Sequence, residues 1–229
     1  MHLKKICMLL IGVGTMGKLF SPENDINDEI PFTEDLMREH GALNRVLLIY
    51  EEIIRRLEKP TLPDFQVNAL KKAVEVIQDF IENYHEKLEE DYIFPLFEKN
   101  KREVTLVKTL RKQHQAGRDI TAKLLEIINS KKTPVASTYK TVITLLKKFV
   151  RMYRPHEARE DTVLFPQVRS MLSEKEFKDL GEKFEDIEHE LFGKEGFFGI
   201  VKKIEGIEKE LGIYKLEQFT PVLSPEQKK

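Results

Sequence analysis

Cysteine is nearly missing from this chain of 229 residues: Cys7 is the only one. That excludes an intrachain disulfide and any zinc or iron–sulfur site built on cysteine. Tryptophan is absent, and glycine and proline are sparse through the middle of the chain. An excess of positive charge is missing too, with 38 basic residues against 39 acidic ones. That balance gives no phosphate-binding surface, so the expectation is no nucleic-acid partner. What is abundant is Leu, Ile, Lys and Glu, an all-helical composition. The length suits one substantial domain, or one with a small appendage.

Residues 1–20 differ from the rest. Lys4 and Lys5 precede an apolar run from Ile6 to Gly14, followed by Thr15 and Gly17. This is the layout of a short secretory signal, and the run is too short for a comfortable membrane span. Export or membrane anchoring, with membrane association only through this leader, is expected if it is a signal; a cytoplasmic location is expected otherwise. The same stretch, Gly12-Val13-Gly14-Thr15-Met16-Gly17, spells G-x-G-x-x-G. A dinucleotide site also needs a helix opening at that loop and a second parallel strand. Ser21-Pro22 cuts the helix off, and no β-branched run follows at the right distance.

Residues 21–31 read as a polar linker. Apolar residues then recur at helical spacing in four long segments. The first starts near Phe32, with Thr33 as its N-cap, and ends near Leu57. The second runs from about Asp64 to Pro95 or Phe97, the third from Val104 to Asn129, and the fourth from beyond Pro134 to Leu172. Pro155 is expected to bend the fourth just before His156, and Pro95 and Pro166 to kink or end their helices. Ser173-Glu174-Lys175-Glu176 is a capping-box start for a fifth helix. Gly193, Gly196 and Gly199 mark a turn before a shorter helix over 201–211. The expected fold is all-α: an antiparallel up-down-up-down four-helix bundle with an additional fifth helix and a short C-terminal helical extension. The domain is read as 32–192 and the extension as 193–229.

The strongest signal is a repeat. Tyr84-His85-Glu86-Lys87-Leu88-Glu89-Glu90-Asp91 continues to Phe94-Pro95, and Pro155-His156-Glu157-Ala158-Arg159-Glu160-Asp161 continues to Phe165-Pro166, at an offset of 71 residues. In each copy a His and a Glu lie four apart, on one helix face. A second repeat surrounds two single histidines, in Glu39-His40-Gly41-Ala42 and Gln113-His114-Gln115-Ala116, offset by 74. The chain is thus two similar hairpins, each with a His on its first helix and His-x-x-x-Glu on its second. Packed about a pseudo-twofold axis, four imidazoles and two carboxylates converge, with the carboxylates placed to bridge two metals. Glu86, Glu157, Glu90 and Asp161 are read as pointing away from this face, as outer-shell or solvated charge. Phe94 and Phe165 are placed to shield the site from water. His189, on the fifth helix, is a further candidate ligand or outer hydrogen-bonding residue.

Over residues 32–192 this ordered set resembles the hemerythrin-like (HHE cation-binding) family of four-helix-bundle di-iron proteins. The resemblance implies metal ligation by His40, His85, Glu89, His114, His156 and Glu160, with Glu89 and Glu160 bridging two iron ions through a centre that also carries an oxo or hydroxo bridge. The set departs from the oxygen-carrying hemerythrins. Arg118 stands where their third helix has a second histidine, and the last carboxylate lies four rather than five residues after its His. The symmetric Glu/Glu pattern looks more like bacterial di-iron proteins of nitric-oxide stress and iron–sulfur repair, without the cysteine-rich N-terminal domain that those usually carry. The leading expectation is a non-haem di-iron protein that binds, senses or detoxifies O2, NO or peroxide. Iron handling or cluster repair, and a helical interaction module with a structural metal, are the alternatives. The pattern names no redox partner.

Overall fold

The computed structural model describes residues 30–59, 65–130 and 136–221. The leader with its glycine pattern, the linker up to residue 29, most of the two expected loops and the last eight residues lie outside the described residues. Six long helices account for most of the described chain: α1 (Phe32–Leu57), α2 (65–100), α3 (Val104–Ile128), α4 (136–168), α5 (Glu174–Phe192) and α6 (Gly196–Glu210). Among the described residues there is no strand, and no helix is long and apolar enough to cross a membrane. The architecture is the all-α bundle that the periodicity predicts.

Helices α1 to α4 pack in a ring, each against the next and α4 back against α1. Their apolar stripes meet in one core, with Leu43, Val46, Leu47, Phe80, Phe97, Leu110, Leu124, Leu146 and Phe149 buried. The connection from α2 to α3 is tight, with Lys101 and Glu103 at positive φ. α5 starts at the expected capping box: the Ser173 Oγ accepts from the Glu176 N–H at 3.3 Å, and the Ser173 N–H donates to the Glu176 carboxylate at 2.8 Å.

Three local expectations are revised. Thr33 does not cap α1. The helix begins at Phe32, as expected, but its N-cap is Pro31, whose carbonyl accepts the Glu34 and Asp35 N–H groups at 2.8 and 3.0 Å. Pro155 lies inside α4, as expected, and on its exposed side, where water can satisfy the carbonyl left without a donor. Pro95 and Pro166 do not end their helices. Each follows an i→i+5 π-turn, Glu89–Ile93 and Glu160–Leu164, and opens a new α segment, where a missing N–H costs little. α6 starts at Gly196, ahead of the expected 201. Gly193 and Gly196 take positive φ and turn the chain, and the Phe197 N–H is taken by the Glu188 carboxylate at 2.6 Å.

α6 lies over the groove between α1 and α2 and buries Ile200, Ile204 and Ile207 in the common core. It is pinned by Arg45, whose guanidinium makes two hydrogen bonds to Glu208 at 2.9 and 2.5 Å, and by Arg56, which donates to the Leu211 carbonyl. The expected extension therefore packs as a cover on the bundle.

Candidate metal centre

Nearer one end of the four helices than the other, the core turns polar. His40 (α1), His85 and Glu89 (α2), His114 (α3), and His156 and Glu160 (α4) are all buried and point at one another. They form two groups, His40–His85–Glu89 and His114–His156–Glu160, each with ligand atoms within 4.8 Å of one another. In the first, the His40 and His85 Nε2 atoms stand 3.0 Å apart. In the second, the His114 and His156 Nε2 atoms stand 3.2 Å apart.

The carboxylates join the halves. Glu89 lies 3.7 Å from the His85 Nε2 through Oε1 and 3.4 Å from the His114 Nε2 through Oε2. Glu160 Oε2 lies 3.4 Å from the His40 Nε2 and 3.1 Å from the His156 Nε2. All four oxygens of Glu89 and Glu160 are buried without a well-formed hydrogen bond. Carboxylates so deep, without donors, are expensive unless a cation sits among them.

Each imidazole is oriented from behind. The Nδ1–H of His40 donates to Asp161 at 2.7 Å, that of His85 to Glu39 at 2.6 Å, that of His114 to Glu90 at 3.0 Å and that of His156 to Gln113 at 2.9 Å. With Nδ1 protonated, each Nε2 lone pair faces the centre, the tautomer that a metal needs. Burial opposes charge on His40, but the Asp161 hydrogen bond and the Glu160 and Glu89 carboxylates outweigh it and raise its pKa to about 9. His114 is raised to about 10, because Glu86, Glu89 and Glu90 outweigh burial. Burial and the neighbouring imidazoles depress the other two, His85 well below its usual range and His156 to about 3. Each close Nε2 pair thus gathers two ring nitrogens at one point in the core, where a cation would be favoured. Burial, with repulsion from Glu160, also raises Glu89, and burial raises Glu160 to about 7. Two nitrogens and a carboxylate oxygen per half, with shared carboxylates and unpartnered oxygens, fit two transition-metal ions.

Apolar residues close the site. Phe94 stacks on the His114 ring at 5.4 Å, and Phe165 on His40 at 5.5 Å. Behind His114, Arg118 occupies the position four residues on and reaches Glu86 at 2.8 Å and Glu90 at 2.7 Å. Glu86 also accepts the Tyr153 hydroxyl at 2.6 Å, and the Tyr153 ring lies 5.3 Å from that of His156.

The six residues of the repeats are therefore brought together. His189 is not: it lies exposed near the end of α5, where its backbone carbonyl accepts the Gly193 N–H. Glu90 and Asp161 do not point away, as α-helical spacing suggests. Both sit in the π-turns, where an extra residue per turn lets positions four and five after the His straddle one face. Glu39 and Gln113 were missed as functional residues. The signal was present, since each immediately precedes the single His of its repeat.

The family described as hemerythrin HHE cation-binding domain matches residues 32–168, and again, overlapping, 105–211. The chain is 45% identical over 202 residues to the uncharacterized protein Rv1995 of Mycobacterium tuberculosis and to the uncharacterized protein Mb2018 of Mycobacterium bovis, covering 87% of this chain and 78% of each relative. No solved structure matches.

Proposed function

This chain belongs to the hemerythrin HHE cation-binding family, and from that premise we propose that it is a non-haem di-iron protein that binds a diatomic ligand, O2 or NO, or turns over peroxide. The family and the two buried His/Glu groups make it a metal-binding protein. The observation that carries the finer reading is the donor set: four inward imidazole nitrogens and two carboxylates that each reach both halves.

His40, His85 and Glu89 would hold one ion, His114, His156 and Glu160 the other, and Glu89 and Glu160 would span the two. Four neutral imidazoles and two carboxylates favour iron over magnesium or calcium, which prefer all-oxygen shells. When bound, a ferrous pair supplies reducing electrons and an open position for a small ligand. The chain supplies the rest. Asp161, Glu39, Glu90 and Gln113 hold the imidazoles in one tautomer and raise their basicity. Phe94 and Phe165, stacked on His114 and His40, keep bulk water from the centre. Arg118 and Tyr153 neutralise and hydrogen-bond Glu86 beside His114, which keeps a buried carboxylate out of competition for the metal. Complete burial of Glu89 and Glu160 favours retained metal over transient iron storage.

Metal analysis with visible spectra, recorded without air and then with O2 and with NO, tests the proposal. The expected result is two irons per chain and new absorption bands with at least one gas. Glu89→Ala with Glu160→Ala is expected to abolish both. A stoichiometric zinc protein with a flat spectrum would refute the diatomic chemistry.

A further inference from the structure

A second group of carboxylates lies outside the histidine centre. Asp35 and Glu39 stand one turn apart on α1, and Glu188 of α5 comes over them. Each offers an oxygen within 4.8 Å of the others. Glu39 is the unusual member, a carboxylate only 1% exposed. Its Oε2 accepts the His85 Nδ1–H at 2.6 Å, while its Oε1 makes no hydrogen bond of good geometry, the Tyr84 hydroxyl being the polar group that interacts with this carboxylate. With Oε2 engaged, Oε1 is the oxygen left for the acidic group.

The neighbours do not supply enough positive charge. Arg38 donates to Asp35 Oδ1 at 2.6 Å. Glu188 accepts the Phe197 N–H at 2.6 Å and, weakly, the Tyr84 hydroxyl at 3.5 Å. Among the described residues, one guanidinium therefore faces three carboxyl groups. A cavity of about 20 Å³, enough for one water-sized occupant, lies against Asp35, Glu39 and Tyr84, with Glu185 rather than Glu188 on its α5 side. Asp35 and Glu188 are half-buried, so the group runs from the surface inward to Glu39.

We propose that Asp35, Glu39 and Glu188 form a mononuclear site for a hard divalent cation, distinct from the histidine centre and joined to it by Glu39. Three carboxylates and no nitrogen suit the oxygen-preferring cations Mg2+, Ca2+ and Mn2+, of which Mn2+ is the one that spectroscopy can count. The cation satisfies the orphan Oε1 and offsets the anionic excess. Because the other oxygen of Glu39 holds His85, the site is also a waiting position beside the dinuclear centre. That role, unlike the binding site itself, rests on the dinuclear reading above.

The test uses the full chain, stripped with a chelator and titrated with Mn2+. Free Mn2+ is read by electron paramagnetic resonance, and Mn2+-soaked crystals are read by anomalous scattering. Three ions per chain are expected, one of them at Asp35, Glu39 and Glu188. Asp35→Asn with Glu188→Gln keeps the shape of both side chains and is expected to weaken that ion's binding at least tenfold while two remain. Glu89→Ala with Glu160→Ala is expected to lose the two and keep the third, so the two ideas fail separately. A parent-like Mn2+ count in the Asp35/Glu188 variant, or no anomalous peak at the acidic group, overturns the site. Stopped-flow Fe2+ loading reads the waiting role: about tenfold slower uptake to the same endpoint is expected in that variant, and an unchanged rate overturns it.

Discussion

The imidazoles at the centre are held by four different hands. Three Nδ1 atoms donate to carboxylates, of Asp161, Glu39 and Glu90, and the fourth donates to the Gln113 amide. The two halves of a near-symmetric site are thus unequal, because a carboxylate makes its imidazole a stronger donor than an amide does. Outer partners of this kind typically govern metal affinity by about 10–100-fold. Asp161→Asn keeps an acceptor for the His40 Nδ1–H and removes the charge. The expected outcome is about tenfold weaker metal retention in chelator competition, with full occupancy restored at saturating metal. Retention equal to that of the parent would show that Asp161 merely fills space.

At the scale of the element, the π-turns Glu89–Ile93 and Glu160–Leu164, two of three π segments among the described residues, decide which carboxylates serve the site. Glu89 and Glu160 open these turns, and Glu90 and Asp161 follow them directly. An ordinary α-helix would carry the position five after each His around to another face. The widened turn brings it to an imidazole on a neighbouring helix. Close helix approach matters as much between α3 and α4. Gly117 faces the Tyr153 hydroxyl so tightly that an added Cβ would lie 2.1 Å from it. That hydroxyl is held by the buried Glu86, and its ring packs on Phe149 at 4.3 Å, so it has little room to yield. Gly117→Ala is therefore expected to destabilise the bundle by about 1–3 kcal/mol in urea unfolding, despite the better helix propensity of alanine.

For the whole molecule, the polar seam continues along the core beyond the metal centre. Glu82 is buried one turn before Glu86, and accepts the Thr121 hydroxyl at 2.5 Å. Burial, only partly offset by Thr121, raises its pKa from 4.5 to about 7. A carboxyl that is harder to ionise when folded contributes its full stability below the unfolded value, and loses it as pH rises through the folded one. The metal-free protein should therefore lose up to about 3 kcal/mol through this group between pH 4.5 and 8. Glu82→Gln cannot ionise, so the stability difference between variant and parent should grow in favour of the variant over that window. A difference that stays constant with pH would mean that Glu82 ionises in the fold as easily as in water.

Much of this protein was legible along the chain. Four segments of helical period, the Ser173 cap and two repeats of His and Glu determined the bundle and the six residues at its centre, because spacing along a helix sets which side chains share a face. The tertiary structure decided what helical spacing cannot express. It placed Glu90 and Asp161 on imidazoles of other helices through turns that depart from 3.6 residues, and it left His189 at the surface. It drew α6 over the α1–α2 groove, with its start set by Glu188 of a different helix. It also set Asp35, Glu39 and Glu188 together, although 149 residues separate the last two. The physical reason is common to all of these: they are contacts between elements, and their distances follow from how whole helices pack.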